Sequence, residues 1–378
     1  MSNQTITSDV NIDTKDRVTS ADENVVENCR IQFPSDFNIR QIRLIQLELP
    51  ISYYNIRNIN TNYLKIDFDE LDGSGEKTAT VPAASLVSGV EVGYTLSEFL
   101  TAITTAMNSV STSADHTYSV THSTVTNKIT ITNTDGSGAN FKMLWLTGTN
   151  KLSSIASMLG FSNLLDLDRA SAYTGTRELN INVTNIIDLD SGPVKLPVGS
   201  YTFDELINQL ETTLATPLGG TATVTLDNIT NKVTITGSIV FELLFLTGDN
   251  RFISSFRDLI GYSASDFTGA STYTSDTGTI NLAGDNYIYL KSESVFGNDQ
   301  GVVVGGNEKD DQILARIRID ESQDGVVFFT NPSEFSVDVS NVTIPSNQFH
   351  LKLTYRNNQP VDLNGHNYSA LFRVFFTT

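Results

Sequence analysis

TNKITIT, from Thr126 to Thr132, recurs with a single Ile-to-Val exchange as TNKVTIT, from Thr230 to Thr236. In each copy a Thr-Asn pair, typical of a tight turn, precedes a segment in which β-branched residues alternate with threonine. The pattern predicts a hairpin turn followed by a half-buried strand. Ile129 and Ile131 are expected on one face, with the threonines on the other.

The similarity between the two regions extends upstream. GYTLSEFL ends at Leu100 and SYTFDELI ends at Ile207, and both contain the Tyr-Thr-x-x-Glu pattern of a helix N-terminal capping box. We therefore expect Thr95 and Thr202 to cap two helices, each with one apolar face. The residues of this face are Phe99, Leu100, Ile103 and Met107 in the first copy, and Leu206, Ile207, Leu210 and Leu214 in the second.

Three further pairs of matching segments follow downstream in the same order. They are LWLTGTN (144–150) with LFLTGDN (244–250), LGFS (159–162) with IGYS (260–263), and AYTGT (172–176) with TYTSD (272–276). The LTG runs are predicted to be apolar strands. Conserved order with small length changes indicates two tandem α+β modules, each with a helix lying on one face of an antiparallel sheet.

The flanking sequence predicts strands and no long helix. The candidates before residue 70 are Cys29–Phe33, Ile39–Ser52 and Asn62–Phe68, and those after residue 285 lie in NYIYLKS, ILARIRI, FSVDVS, FHLKLTYR and ALFRVFF. In the segment Ile39–Ser52, Ile45, Leu47 and Leu49 alternate with polar residues, as in a half-buried strand. Eight antiparallel strands match a single jelly roll, with the two modules inserted between its strands D and E.

The predicted fold is therefore mainly β, with a discontinuous base and a large insertion. The expected divisions are a polar N-terminal arm (1–27), the jelly-roll base (28–70 plus 285–378) and the insertion (71–284). The first repeat covers about 71–176 and the second about 177–284. The arm is expected either to be disordered or to become ordered on neighbouring subunits during assembly.

Composition excludes several function classes. The formal net charge is −19, so direct binding to a nucleic-acid backbone is not expected. No apolar run is long enough to span a membrane, and the polar N-terminus does not match a secretory signal. Cys29 is the only cysteine, so no intrachain disulfide is possible, and we expect it to be a small buried strand residue.

The sequence predicts no catalytic, cofactor-binding or metal-binding residues. His116 and His122 have no zinc-site spacing, and His116 is expected to be an exposed loop residue. The Gly-rich run 301–307 lacks a phosphate-binding lysine and is expected to be a loop. Asp188-Leu-Asp190-Ser-Gly192 is similar to the start of a calcium loop, but Gly199 stands where its final glutamate is required.

The chain resembles the penton (vertex) minor capsid proteins of virophages and Polinton elements, most closely those of Sputnik-like virophages. The resemblance is carried by RLIQLELPISYYNI (43–56), by the Tyr-Thr-x-x-Glu helix with its TNK strand and LGF/IGY turn, and by the C-terminal run LKLTYRNNQPVDLNGHNYSALFRVFF (351–376). Together these segments cover most of the chain after residue 25. They are structural patterns and contain no catalytic motif.

The resemblance implies a structural role. It implies a jelly-roll base that forms a homopentamer at the fivefold vertices of an icosahedral virion, with the insertion projecting outward. Neighbouring major capsid protein subunits are the implied partners, the virion is the implied location, and no enzyme activity or cofactor is implied.

A binding module is the alternative interpretation. In it, the two modules recognise a host or carrier-virus surface, glycans included, and binding by both modules at once increases avidity. Tyr94, Tyr201, Tyr173 and Tyr273 are the candidate contacts. A core role is favoured for Tyr94 and Tyr201, because each directly precedes a helix cap. An enzyme is a third alternative, for which no paired acidic residues are found.

Overall fold

The structure is a computed structural model. It describes residues 5–16, 28–32, 38–59, 62–83, 86–87, 90–162, 165–282, 286–292, 312–320, 325–331, 337–338, 348–355 and 359–377. This part of the chain is mainly β. None of the helices in it has the length and apolar content needed to cross a membrane.

The elements are numbered in chain order. The strands are β1 Thr5–Asp13, β2 Asn28–Gln32, β3 Asn38–Pro50, β4 Lys65–Asp69, β5 Glu76–Thr80, β6 Leu86–Val87, β7 Val90–Glu91, β8 Tyr118–Ser123, β9 Lys128–Asn133, β10 Phe141–Met143, β11 Leu167–Ala170, β12 Ala172–Thr174, β13 Ile186–Leu189, β14 Gly192–Lys195, β15 Ala222–Leu226, β16 Val233–Leu244, β17 Asp266–Thr274, β18 Tyr287–Ser292, β19 Gln312–Arg318, β20 Val326–Thr330, β21 Val337–Asp338, β22 Gln348–Thr354 and β23 Ser369–Thr377. The helices are α1 Leu96–Val110, α2 Phe203–Leu214 and α3 Phe256–Ile260, with short 3-10 helices at Thr14–Asp16 and Lys151–Ser153.

The chain divides into two compact units. Unit 1 comprises Met1–Tyr53 and Asp285–Thr378, and unit 2 comprises Tyr54–Gly284. Unit 1 contains two antiparallel sheets. One has the order β1-β23-β3-β20, with the short β21 also paired to β3, and the other has the order β19-β18-β22-β2. Most neighbours in these sheets are far apart in the sequence.

The two sheets of unit 1 share one apolar core. Leu47 and Leu49 of β3 enter it from the first sheet, and Leu351 and Leu353 of β22 enter it from the second. The predicted alternation of β3 is confirmed at these positions, because Gln46, which precedes Leu47, and Glu48, which lies between the two leucines, are exposed. Such period-two burial is what allows each sheet to cover one side of the core.

Ile45 does not follow the predicted alternation. Leu44, with 3% of its surface exposed, occupies the inward position, and Ile45 is half-buried. The pairing of β3 with β23 shifts between the pairs Leu371–Gln46 and Phe372–Leu44. Ile45 is therefore the extra residue of a β-bulge, which the sequence pattern does not reveal.

Two strands of unit 1 were not predicted. Thr5–Asp13, assigned by sequence to a polar arm, pairs along its whole length with β23 and buries Ile12. Val326–Thr330, which is nearly continuous in apolar residues, pairs with β3. The FSVDVS segment, predicted to be a full strand, is described as a strand only at Val337–Asp338.

The predicted strand NYLKIDF also lies elsewhere than expected. Its core, Lys65–Asp69 (β4), pairs with β5 and β10 in unit 2. The border between the units consequently falls between Tyr53 and Tyr54 and not near residue 71.

Unit 2 contains two similar arrangements. We call residues 62–176 the first module and residues 177–282 the second module. The strands of the first module run β5-β4-β10-β11 and β8-β9-β12, and those of the second run β14-β13-β16-β15, with β17 on the other side of β16. The long β16 thus occupies the positions of β9 and β10 together, and β17 those of β11 and β12.

The two predicted helices and the TNK strands are confirmed. Helix α1 buries Phe99, Ile103 and Met107, and α2 buries its three equivalent leucines, while Leu100 and Ile207 are half-buried. The three leucines of α2 are Leu206, Leu210 and Leu214, and the other buried residues of α1 are Leu96 and Ala106.

The TNK segments form the predicted turns and strands. Asn127 and Asn231 adopt left-handed backbone angles, with φ of 51° and 52°, which asparagine tolerates better than most residues. The strands that follow bury Ile129 and Ile131 in the first module and their equivalents in the second.

The prediction of LTG strands is wrong. The strand ends before the LTG run in each module, at Met143 and at Leu244, and residues 145–150 (turn 1) and 245–250 (turn 2) are turns. Leu146 and Leu246 are exposed by 42% and 55%. The apolar residues of the two LTG segments suggested burial. The backbone leaves the sheet at these segments because carboxylates from other strands bind its N–H groups.

Candidate functional site

Turn 1 and turn 2 are each held by a buried aspartate from a neighbouring strand. In turn 1 the backbone N–H and side-chain Nδ2 of Asn150 donate to the two carboxylate oxygens of Asp67, at 2.6 and 2.9 Å. In turn 2 Asn250 makes the same two hydrogen bonds to Asp188, at 2.7 and 2.6 Å. Hydrogen bonds to an ionised acceptor are the stronger kind, so each pair fixes its turn firmly.

The glycine of each LTG run is required by this contact. A Cβ on Gly248 would lie 2.4 Å from both the Asp188 Oδ2 atom and the backbone oxygen of Leu244. A Cβ on Gly148 would lie 2.6 Å from Asp67. Only glycine lets the backbone approach the carboxylate this closely.

A second aspartate supports the first half of each turn. Asp266 Oδ1 accepts hydrogen bonds from the backbone N–H groups of Leu246 and Thr247, at 2.8 and 3.1 Å, and Asp166 does the same in turn 1. Burial acts to raise the pKa of Asp266, but these hydrogen bonds outweigh it, so the pKa lies below its ordinary value. Burial dominates at Asp188, whose pKa is raised.

Both helix starts carry the predicted capping boxes. The N–H of Glu98 donates to Thr95 Oγ1, and the Thr95 N–H donates to the Glu98 carboxylate at 2.7 Å. Thr202 and Glu205 make the equivalent bonds at α2. Burial acts to raise the pKa of Glu98, but its hydrogen bond from Thr95 and its pairing with Lys195 outweigh this and lower it.

Replacing Thr95 by alanine is expected to destabilise the first module by about 1 kcal/mol, the usual cost of losing an N-cap side chain. Trp145, the only tryptophan, is buried in this module, so its fluorescence during urea unfolding of the full chain measures the change. Thr101→Ala is the control, because Thr101 is exposed in the same helix and should shift stability by less than about 0.5 kcal/mol. Equal losses in the two variants would contradict a capping role.

Two asparagines hold the tyrosines that precede the caps. Asn58 accepts a hydrogen bond from the Tyr94 N–H at 2.8 Å and donates to the Tyr94 carbonyl at 3.2 Å. Asn55 makes the same two contacts with Tyr201, at 3.0 and 2.8 Å. One short segment therefore positions both helix starts.

The second module contacts the start of the helix in the first module. Asn250 Oδ1 accepts a hydrogen bond from the backbone N–H of Leu96, the first residue of α1, at 2.8 Å. Lys195 Nζ lies 2.9 Å from the Glu98 carboxylate. Asn250 thus links three elements, because its two donors bind Asp188 and its acceptor binds α1.

The four tyrosines that were candidates for surface contacts make hydrogen bonds within the protein. Tyr173 and Tyr273 are buried, with 9% and 8% of their surfaces exposed, and Tyr94 and Tyr201 are half-buried. Each hydroxyl donates to a backbone carbonyl. The acceptors are Pro82 for Tyr94, Pro197 for Tyr201, Phe141 for Tyr173 and Phe241 for Tyr273.

The expectation that His116 is exposed is wrong. It is 7% exposed, its ring stacks 6.0 Å from that of Tyr118, and its Nε2 lies 3.2 Å from the carbonyl oxygen of Asn140. The aromatic cluster under β8 draws the ring inward, which a Ser/Thr-rich sequence does not indicate. His122 lies 4.8 Å, ring to ring, from Phe252 of the second module.

The segment that is similar to a calcium loop is a hairpin. Asp188 belongs to β13 and binds turn 2, Asp190 begins the turn to β14, and Gly192 takes a φ of 115°. In the described residues, no three His, Cys, Asp or Glu side chains are grouped so that they could hold a metal ion. Residues 301–307 and the side chain of Cys29 lie outside the part that the structure describes.

Neither a protein-family model nor a curated protein matches the chain. Among solved structures, a penton protein of mavirus is similar over 99% of this chain and 100% of its own, at 11% sequence identity and a TM-score of 0.28. A likeness this distant establishes neither a fold nor a function for this chain.

Sequence reasoning missed the residues that organise this region, notably Asp67, Lys195 and Asn250. The only signal was the identical Asn that ends both LTG segments. Together with exposed apolar residues such as Phe203, 43% exposed, the turns and helix starts present hydrogen-bonding groups and apolar surface. This arrangement suits contact with another macromolecular surface.

Proposed function

We propose that the protein is a structural capsid protein that forms the pentameric penton at the fivefold vertices of an icosahedral virion. The observation that carries the proposal is the strand order of unit 1. Named B to I in chain order, the eight strands of five or more residues that the structure describes in it are β1, β2, β3, β18, β19, β20, β22 and β23. The two sheets then read B-I-D-G and F-E-H-C.

This order is that of an eight-stranded jelly roll, an architecture from which viral capsids are built. On this assignment unit 2 enters between strands D (β3) and E (β18), whereas the sequence prediction took Asn62–Phe68, which belongs to unit 2, as strand D. Jelly rolls occur in lectins and cupins as well, so the resemblance of residues 43–56 and 351–376 to penton proteins selects the capsid role.

Unit 2 is proposed to be a tandem duplication. The matching hydrogen bonds of Asp67 and Asp188, of Thr95 and Thr202, and of Asn58 and Asn55 support this. In the virion, unit 2 belongs to the outer surface and unit 1 contacts neighbouring major capsid protein subunits. The net charge of −19 argues against direct contact with the genome. The protein acts through assembly and not as an enzyme.

Recognition of a host or carrier-virus surface is less well supported. The four tyrosines that would carry it donate their hydroxyls to backbone carbonyls, and Tyr173 and Tyr273 are buried. No observation in the described residues specifically favours glycan binding.

The proposal predicts the mass of the assembled protein. Sedimentation of the purified full chain should give a species of about 207 kDa, corresponding to five chains of 41.3 kDa, because closed cyclic symmetry sets a single stoichiometry. Negative-stain images of it should show fivefold rings. A monomer at every concentration, or a closed ring of another number, would overturn the proposal.

A further inference from the structure

One contact between the two modules of a chain is made by turn 2 and the start of α1. Asn250 accepts the Leu96 N–H, and Lys195 pairs with Glu98. As a result Leu96 is only 6% exposed. This contact gives the geometry by which one module covers the helix start of another.

Within the part of the chain that the structure describes, the reciprocal contact between turn 1 and the start of α2 is not made. Phe203 has the position in α2 that Leu96 has in α1, yet it is 43% exposed. Thr202, Asp204 and Glu205 beside it are exposed as well. An internal twofold arrangement would cover both helix starts equally, so the modules are joined head to tail.

The matching half of this missing contact lies in turn 1. Asn150 is 7% exposed and binds Asp67 as Asn250 binds Asp188. In Asn250, Oδ1 accepts the helix N–H; in Asn150, the same atom accepts no hydrogen bond from the described residues. Asn150 is therefore held in the orientation of Asn250, and its Oδ1 is open to accept a hydrogen bond from a helix start.

We infer that turn 1 of one chain docks against the start of α2 in a second copy of the chain. This contact would repeat the hydrogen bond between turn 2 and α1 that already joins the two modules, and it rests on the proposed duplication and assembly. Local charges agree with it. Asp204 and Glu205 flank the helix start, and the exposed Lys151 follows turn 1.

The contact uses two different surfaces, so it is heterologous. Contacts of this kind close into a ring when the rotation fits and otherwise extend into a filament. Terminal repeats in a tandem array normally carry polar outer faces, whereas Phe203 leaves an aromatic side chain on the free end of the second module. In a pentamer, ten modules would alternate between contacts within chains and contacts between chains.

Cysteine cross-linking of the full chain tests the inference. In a Cys29→Ser background, which removes the only cysteine, Lys151→Cys and Asp204→Cys are made separately and together. With a bismaleimide, the mixed single variants should give cross-linked dimers, and each single variant alone should give none. The double variant should give a ladder that ends at the number of chains in the ring.

Two further variants complete the test. Phe203→Asp, added to the cross-linking variants, should abolish the cross-link, whereas Ile229→Asp, which changes a 93% exposed residue of the same module, should leave it intact. Ile229→Cys, mixed with Lys151→Cys, gives the background yield of cross-linked dimers. The inference would be overturned if Lys151→Cys alone formed cross-linked dimers, or if Lys151→Cys mixed with Asp204→Cys gave no more dimer than this background. Pentamers that form without the cross-link would contradict this contact alone. A monomer at every concentration would overturn both the contact and the capsid proposal.

Discussion

Replacing Phe241 by alanine is expected to destabilise the second module by about 3–5 kcal/mol, the usual cost of removing a buried phenylalanine ring. Phe241 is 1% exposed, and its ring meets that of Tyr273 edge to face, at 5.0 Å and 83°. The Tyr273 hydroxyl binds the backbone oxygen of Phe241, which the substitution retains. The cavity left by the ring is therefore lined by groups that stay in place, so the surrounding structure cannot close it fully.

Hydrogen exchange of the full chain measures this effect. The amides of β15, β16 and β17 should open with a free energy lower by that amount. Val240→Ala is the matched control, because Val240 is the preceding residue of the same strand and is 61% exposed. It should change the opening free energy by less than about 0.5 kcal/mol. Comparable changes in both variants would show that burial of the Phe241 ring is not what stabilises the module.

The features that the sequence predicted well are local. A capping box needs residues three apart, and Thr95 and Thr202 form it in both helices. The TNK strands need only a turn residue that tolerates positive φ, followed by apolar and polar residues that alternate with a period of two. In each case the signal and the structure occupy the same few residues, so no tertiary information is needed.

Strand assignment in unit 1 was less successful for a physical reason. Thr5–Asp13 is polar enough to suggest an arm, yet it needs only one buried face to join the edge of a sheet. Val326–Thr330 has no alternation, so its pattern does not separate a strand from other buried segments. Lys65–Asp69 has a strand pattern that fits either unit, and only its pairing with β5 and β10 assigns it to unit 2.

The turns were missed because their partners are distant. Asp67 is 83 residues from Asn150, and Asp188 is 62 residues from Asn250. No local sequence pattern predicts that a carboxylate will accept a hydrogen bond from a backbone N–H so far along the chain. Comparing the modules with each other would have helped, since both contain an aspartate in an early strand and an asparagine after LTG.

Replacing Asp67 by alanine is expected to cost the first module about 3 kcal/mol or more. Hydrogen bonds to charged groups contribute about 1.5–3 kcal/mol each, and this carboxylate accepts two from Asn150. The loss is large because the backbone N–H and Nδ2 of Asn150 stay buried without that acceptor. Trp145 lies in turn 1, so its fluorescence during urea unfolding reports directly on the affected region.

A double-mutant cycle of Asp67→Ala with Asn150→Ala should give a coupling free energy above about 1 kcal/mol, because the two residues act as one unit. Asp168→Ala controls for the charge change. Its carboxylate is exposed in the same module and pairs with Lys142, a surface contact worth less than about 1 kcal/mol. Asp188→Ala should cost the second module as much as Asp67→Ala costs the first, if the modules are duplicates that fix their turns in the same way. A loss in one module only would mean that the matching hydrogen bonds have unequal roles, and the head-to-tail contact would then lose the equivalence of turn 1 and turn 2 on which it depends.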